Sequence, residues 1–188
     1  MAKVFDSIDD KLAAWIGRQR MFFVGTAPSG PGGHVNISPK GPIESLRVLG
    51  PHEVAYQDVI GSGAETIAHL RDNGRIVVML CAFEGPPRIV RLHGRGSVLP
   101  PDAVEFDAAP PPGTERAVIH VAVERIADSC GYGVPVMEFV GPRPQNEAWA
   151  TTKLRKGGDR ALDEYVAEKN AVSIDGLPAV DVGDLEPA

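Results

Sequence analysis

Apolar and polar residues alternate with a period near two over most of the first two-thirds of the chain. A helical period shows only near the start, once in the middle and in the last third. Residues 7–20 place Ile8, Leu12, Trp15 and Ile16 on one face, behind Ser7 as a possible helix cap. Residues 21–26, 34–38, 43–49 and 53–59 predict strands, with Pro39-Lys40-Gly41-Pro42 a turn by composition. Residues 75–83 form an apolar run of a length suited to a buried strand. Residues 88–99 alternate cleanly, with Val90, Leu92, Gly94, Gly96 and Val98 opposite Ile89, Arg91, His93, Arg95 and Ser97. Gly94 and Gly96 inside that strand imply a bend or a close backbone approach. Residues 116–126 set Ile119, Val121 and Val123 against His120, Ala122 and Glu124. Residues 144–156 and 160–170 return to helical spacing, and residues 173–188 read as an acidic tail without period.

The most informative unit is residues 56–83, which runs strand, glycine turn, helix, strand. Gly61-Ser62-Gly63 precedes Ala64, Ile67, Ala68 and Arg71 at helical spacing, and Asn73-Gly74 closes the helix. Ser62 with Glu65 three residues later matches a capping box, so Glu65 is expected to turn back onto the Ser62 backbone N–H. Such a helix start leaves free N–H groups and a positive dipole end, which suits a phosphate. An ordinary, unliganded helix start has the same pattern.

Composition sharpens this into a fold class. The 21 glycines and 17 prolines fall in clusters between apolar runs, as in a β-rich barrel or sandwich of many short elements. Residues 1–143 read as the barrel with its N-terminal helix, and residues 144–188 as a helical extension and tail of the same domain. A net charge of −6 argues against nucleic acid or an acidic membrane surface as partner. The longest apolar run, residues 76–83, is too short to span a bilayer. With no secretory signal and two cysteines, cytoplasm is the expected location. Zinc spacing, a hydrolase nucleophile elbow, a Walker A loop and a dinucleotide fingerprint are all missing from the sequence. Cys81 reads as a small buried hydrophobe and Cys130 as a turn residue. Arg91, His93 and Arg95 form a basic stripe, either a solvated exterior or a phosphate or subunit contact. Asn36, Ser38 and Lys40 share a polar face. The residues alone therefore indicate a soluble β-rich domain with one plausible anion site.

Several segments, in order, resemble the FMN-binding split barrels of the pyridoxamine 5'-phosphate oxidase-like family, closest to a bacterial branch of uncharacterised members. They are His34-Val-Asn-Ile-Ser-Pro-Lys-Gly41, Tyr56-Gln-Asp58, Gly61-Ser-Gly-Ala-Glu-Thr66 with the helix after it, Pro87-Arg-Ile-Val-Arg-Leu-His-Gly-Arg95, and Ser129-Cys-Gly-Tyr-Gly-Val-Pro-Val-Met-Glu138. The resemblance implies a mainly β fold: a six-stranded antiparallel split β-barrel with peripheral helices and a helical C-terminal extension. It also implies a homodimer with FMN in clefts between subunits. The apolar faces of residues 75–83 and 116–126 are expected to exceed what one small barrel covers, in keeping with a dimer. By position, Asn36, Ile37, Ser38 and Lys40 correspond to the strand lining the flavin, and Tyr56, Gln57 and Asp58 to its neighbour. Ser62, Gly63, Thr66 and a cation such as Lys40 or Arg91 are the expected phosphate partners. The family's Arg-Lys pair at the helix start is replaced by Glu65 and Thr66.

Arg143-Pro-Gln-Asn-Glu-Ala-Trp149 echoes the family's C-terminal segment, but no arginine/histidine substrate clamp follows it, so the named oxidase activity is not expected. The implied function is a flavin-dependent oxidoreductase acting on a small molecule, with His93 and Tyr132 as candidate acid or base. The alternatives are a non-catalytic flavin binder or carrier, a split barrel using deazaflavin or haem, and a barrel that has lost its cofactor.

Overall fold

The computed structural model describes residues 3–158 and 160–182, so the last residues of the predicted acidic tail, 183–188, lie outside it. All seven strands that the alternation predicts form, and a two-residue strand, β1 (Val4–Phe5), is added. β2 (Phe22–Thr26), β5 (Glu53–Val59), β6 (Arg75–Cys81), β7 (Ile89–Leu99) and β8 (Glu115–Ser129) lie close to their expected positions. β3 (Asn36–Lys40) starts later and runs on through Pro39, where a turn was expected. Proline is tolerated there because β3 is the edge strand of the sheet. Residues 43–45 form a 3-10 turn, leaving β4 as Leu46–Gly50. Helix α1 (Asp10–Ile16) is shorter than residues 7–20, because Asp9 rather than Ser7 caps it by accepting from Leu12 N at 2.7 Å.

The eight strands make one antiparallel sheet in the order β3-β2-β6-β7-β8-β5-β4, with β1 added to β8, in place of the six strands expected. The sheet curls until distant strands meet. The Phe22 ring of β2 stands edge-on to the Tyr56 ring of β5, 5.4 Å between centroids, although β6, β7 and β8 lie between them in the sheet. Phe22, Val24, Val54, Tyr56, Val78, Leu80, Leu92 and Ile119 fill the enclosed core. Ile76, Val78 and Leu80 of β6 and Ile119, Val121 and Ile126 of β8 are buried by the chain itself, while Val77 and Met79 stay half-buried. The register of β7 against β8 shifts at Gly94, where a side chain would collide with the Ala122 carbonyl, so the expected close approach is real.

Helix α2 (Glu65–Asn73) lies against β2, β6 and β7, burying Ile67, Ala68 and Leu70, and ends at Gly74 in the left-handed conformation, φ 71°. The predicted capping box does not form. Ala64 is the N-cap, without a side-chain hydrogen bond. The Glu65 carboxylate turns instead to a distant donor, the backbone N–H of Ile174, at 3.1 and 3.3 Å.

Helices α3 (Gln145–Gly157) and α4 (Arg160–Lys169) pair through Trp149 and Tyr165, 5.0 Å apart edge-on. The segment after α4 is not the patternless tail expected. It doubles back, with a bridge between Val172 and Pro178 and a turn at Gly176, and buries Ala179 fully.

Candidate functional site

The start of α2 opens on a cavity of about 360 Å³. Its lining includes Asn36, Ser38 and Lys40 from β3, the Gly61-Ser62-Gly63 turn, Ala64, Glu65 and Thr66 of α2, and Arg116 of β8. Three segments far apart in sequence meet because β3 and β5, near opposite ends of the sheet order, are rolled together and α2 starts between them. A larger cavity, about 850 Å³, lies between the end of α1 and the turn from β6 to β7. It contains none of the predicted site residues, and convergent polar groups rather than volume mark a binding site.

One wall of the small cavity rests on a closed ionic cluster. Asp58 is fully buried. Its Oδ1 accepts from Lys40 Nζ at 2.7 Å, and its Oδ2 accepts from Arg116 Nε at 2.8 Å and lies 2.7 Å from Nη2. Burial alone would raise the Asp58 pKa, but the charges and hydrogen bonds of Lys40 and Arg116 hold it below the usual aspartate value. Arg116 Nη1 also donates to the Gly63 carbonyl and to Asn170 Oδ1, both at 2.9 Å, and Asn170 Nδ2 donates to the Gly61 carbonyl at 3.0 Å. The cluster therefore fixes the glycine turn. Lys40 spends one of its three N–H groups on Asp58, and its side chain is 20% exposed.

The other wall is looser. Asn36 Nδ2 donates weakly to Thr26 Oγ1 and Thr66 Oγ1, at 3.4 and 3.3 Å, and Asn36 Oδ1 accepts from Ser38 Oγ at 3.2 Å. Beneath lies buried His69. At the rim, the residue 173–177 turn brings Ile174 to Glu65 and Asp175 to His34, with Asp175 Oδ1 2.7 Å from His34 Nδ1 and Oδ2 accepting the His34 backbone N–H at 2.8 Å. The hydrogen bond to Asp175 and its charge raise the His34 pKa. Lys40 and Arg116 against Asp58 and Glu65 leave the cavity formally neutral.

Of the predicted residues, Asn36, Ser38, Lys40, Ser62, Gly63 and Thr66 line this cavity. Asp58 sits under it, holding Lys40. Ile37 points to the opposite face of β3 and is exposed. Tyr56 is in the core, its hydroxyl without a well-formed hydrogen bond; burial, then the Asp58 charge, raise its pKa well above the tyrosine value, and Thr66 is the polar group close by. Gln57 is half-buried on β5 and does not line the cavity. Arg91 donates to Ser129 Oγ at 3.1 Å, outside the cavity. Neither candidate acid or base reaches it: Tyr132 is exposed, and His93 lines a shallow groove beside Ile37 and Val77. Burial, then Arg125 and Arg91, lower the His93 pKa. Sequence reasoning missed Arg116 and Asn170. A lone arginine heading an apolar strand was the available signal, but the register of β5 and β8, which sets Asp58 opposite Ala117, is a property of the fold.

The donors present suit a phosphate: the first N–H groups of α2, the Ser62 and Thr66 hydroxyls and the two remaining Lys40 N–H groups. The Glu65 carboxylate, on the cavity wall, opposes it.

Comparison with known proteins agrees with this architecture. The family model described as "Pyridoxamine 5'-phosphate oxidase" matches residues 8–130. A protein of Aspergillus flavus, described as pyridoxamine 5'-phosphate oxidase family protein ustO, is 40% identical over 195 residues, covering 94% of this chain and 77% of its own length. Among solved structures, HupZ of Group A Streptococcus has a similar fold, with a TM-score of 0.50 and 19% identity over 70% of this chain and 99% of that one. An FMN-binding protein of Syntrophomonas wolfei superposes at a TM-score of 0.45 with 16% identity, over 62% of this chain and 82% of that one. With the split-barrel sheet, the family match over residues 8–130 and the close fungal relative in agreement, the chain belongs to the pyridoxamine 5'-phosphate oxidase family.

Proposed function

We propose that this protein binds FMN and acts as a flavin-dependent oxidoreductase on a small molecule. The observation that carries the reading is the meeting of β3, the glycine turn and the start of α2 in one cavity, lined by Lys40, Ser62 and Thr66. In this reading the first turn of α2, Ser62, Thr66 and Lys40 hold the phosphate, and Asn36 and Ser38 border the rest of the cofactor. A bound flavin supplies the electron transfer. The chain binds it, orients it and limits water. FMN is preferred over FAD because the cavity offers one helix start and the sequence has no dinucleotide fingerprint.

A homodimer completes the proposal. β3 is an open sheet edge, and Val35 just before it and Ile37 within it are 71% and 69% exposed. A second reading, a non-catalytic flavin carrier, is favoured by one fact: Lys40 is tied to Asp58 and His34 to Asp175, so neither stands ready to move a proton.

The test is the absorption spectrum of the purified protein and an FMN titration followed by fluorescence. Lys40→Ala removes a charge-assisted contact of about 1.5–3 kcal/mol, so FMN binding weakens roughly ten- to hundredfold. An unchanged dissociation constant removes Lys40 from the site. FAD as the main flavin released by heat contradicts the FMN assignment, and a sedimentation mass near the 20.0 kDa of one chain contradicts the dimer.

A further inference from the structure

Glu65 and His69 stand one turn apart on α2, and His69 is incompletely partnered. His69 is fully buried; its Nδ1 meets Thr26 Oγ1 at 3.0 Å, and its Nε2 has no hydrogen-bond partner. Thr26 Oγ1 also accepts from Asn36, and with two lone pairs and one proton it can meet Nδ1 in either ring tautomer. His69 Nε2 lies 4.0 Å from Glu65 Oε2, just beyond hydrogen-bond reach. Glu65 thus stands between the cavity it lines and a buried imidazole with an unused position.

An anion at the α2 start would place a second negative charge beside Glu65, in a cavity whose own charges already cancel. Like charges brought together favour uptake of a proton by one of them. We propose that the cavity takes up its anion together with one proton, held by the Glu65–His69 pair. The proton comes from hydronium or buffer acid in solvent, whose bond to it breaks as an O–H or N–H bond forms on the pair; no heavy-atom bond changes, and the pair goes from one negative charge to neutral. The inference rests on reading the cavity as the flavin-phosphate site and adds its regulation by pH.

Six other charged groups surround the pair. Lys40 and Arg116 across the cavity both bind Asp58, and Asp72, on α2 itself, accepts from the Ser29 N–H and hydroxyl. His34 and Asp175 at the rim are the competing titratable pair.

Sulfate, a permanent dianion, separates protein titration from that of the FMN phosphate. The experiment measures sulfate affinity of the full chain between about pH 5.5 and about pH 8.5, the range in which imidazoles titrate, with FMN titrated in parallel. One coupled proton makes sulfate affinity fall by up to about tenfold per pH unit on the alkaline side. Glu65→Gln is expected to bind more tightly at the alkaline end with a flattened slope. His69→Gln, checked for folding by circular dichroism, is expected to flatten it too, and His34→Gln to preserve it. A slope that persists in Glu65→Gln, or disappears in His34→Gln, overturns the assignment. FMN binding with pH-independent sulfate binding overturns the coupling alone and leaves the cofactor reading standing. Failure of both FMN and sulfate to bind at any pH overturns both.

Discussion

On the β5–β8 side of the cavity, Asp58 is wholly buried and meets two cations. On the α2 side, His69 is just as buried, and one of its ring nitrogens makes no hydrogen bond. The first wall spends its charges on each other and on the Gly63 carbonyl, while the Asn170 amide holds that of Gly61, which makes a rigid floor. The second keeps weak amide and hydroxyl contacts, an unfilled imidazole position and a rim segment held by two carboxylates. Asp58 and Arg116 have little free energy left for a ligand, and of that cluster Lys40 alone keeps donors for one, whereas the incompletely satisfied wall can respond to it. Structural charge and responsive charge are thus segregated to opposite sides of one small cavity.

The largest effect should come from breaking the rigid side. Asp58→Ala leaves Arg116 buried without its carboxylate and is expected to lose about 3–5 kcal/mol in denaturant unfolding. A loss below about 1 kcal/mol, the scale of an exposed pair, would mean that the cluster is not structural. Because the folded-state pKa of Asp58 is depressed, its stabilisation is complete above the ordinary value of 3.8 and is lost only as pH falls below that. The floor should therefore be indifferent to pH near neutrality.

The rim should not be. His34 has a raised pKa in the folded state, so its contribution is complete below the ordinary value of 6.5 and is lost as pH rises through the higher folded value. Amide hydrogen exchange at the His34 N–H, after correction for intrinsic rate, should speed up on that rise. His34→Gln should remove the dependence, and identical protection in both proteins would refute it. The smallest effect is expected at Tyr56→Phe. The hydroxyl makes no well-formed hydrogen bond, so its loss should change stability by less than about 0.5 kcal/mol and leave FMN affinity unaltered. A tenfold change in FMN affinity would restore Tyr56 to the cofactor site.

Much of this was legible before the fold. Alternation at residues 88–99 and 116–126 shows which side of β7 and β8 is buried, and Asn73-Gly74 marks the end of α2, because side-chain period and left-handed glycine are local properties. Asn36, Ser38, Lys40, Ser62, Gly63 and Thr66 were recognisable as a set only through their ordered resemblance to a family. Glu65 was misread for a physical reason: a capping box needs only local spacing, but Ile174, more than a hundred residues away, supplies a competing donor.

The sequence by itself determined the β-rich class, the placement of the strands and the glycine turn before α2, since these follow from period, turn chemistry and composition within short windows. Only the tertiary structure decided that Asp58 binds Lys40 and Arg116, that Tyr56 lies in the core, and that the segment after α4 returns to the cavity rim. Those outcomes depend on strand register and on how far the sheet curls, and both are set by packing over the whole chain rather than by any stretch of it.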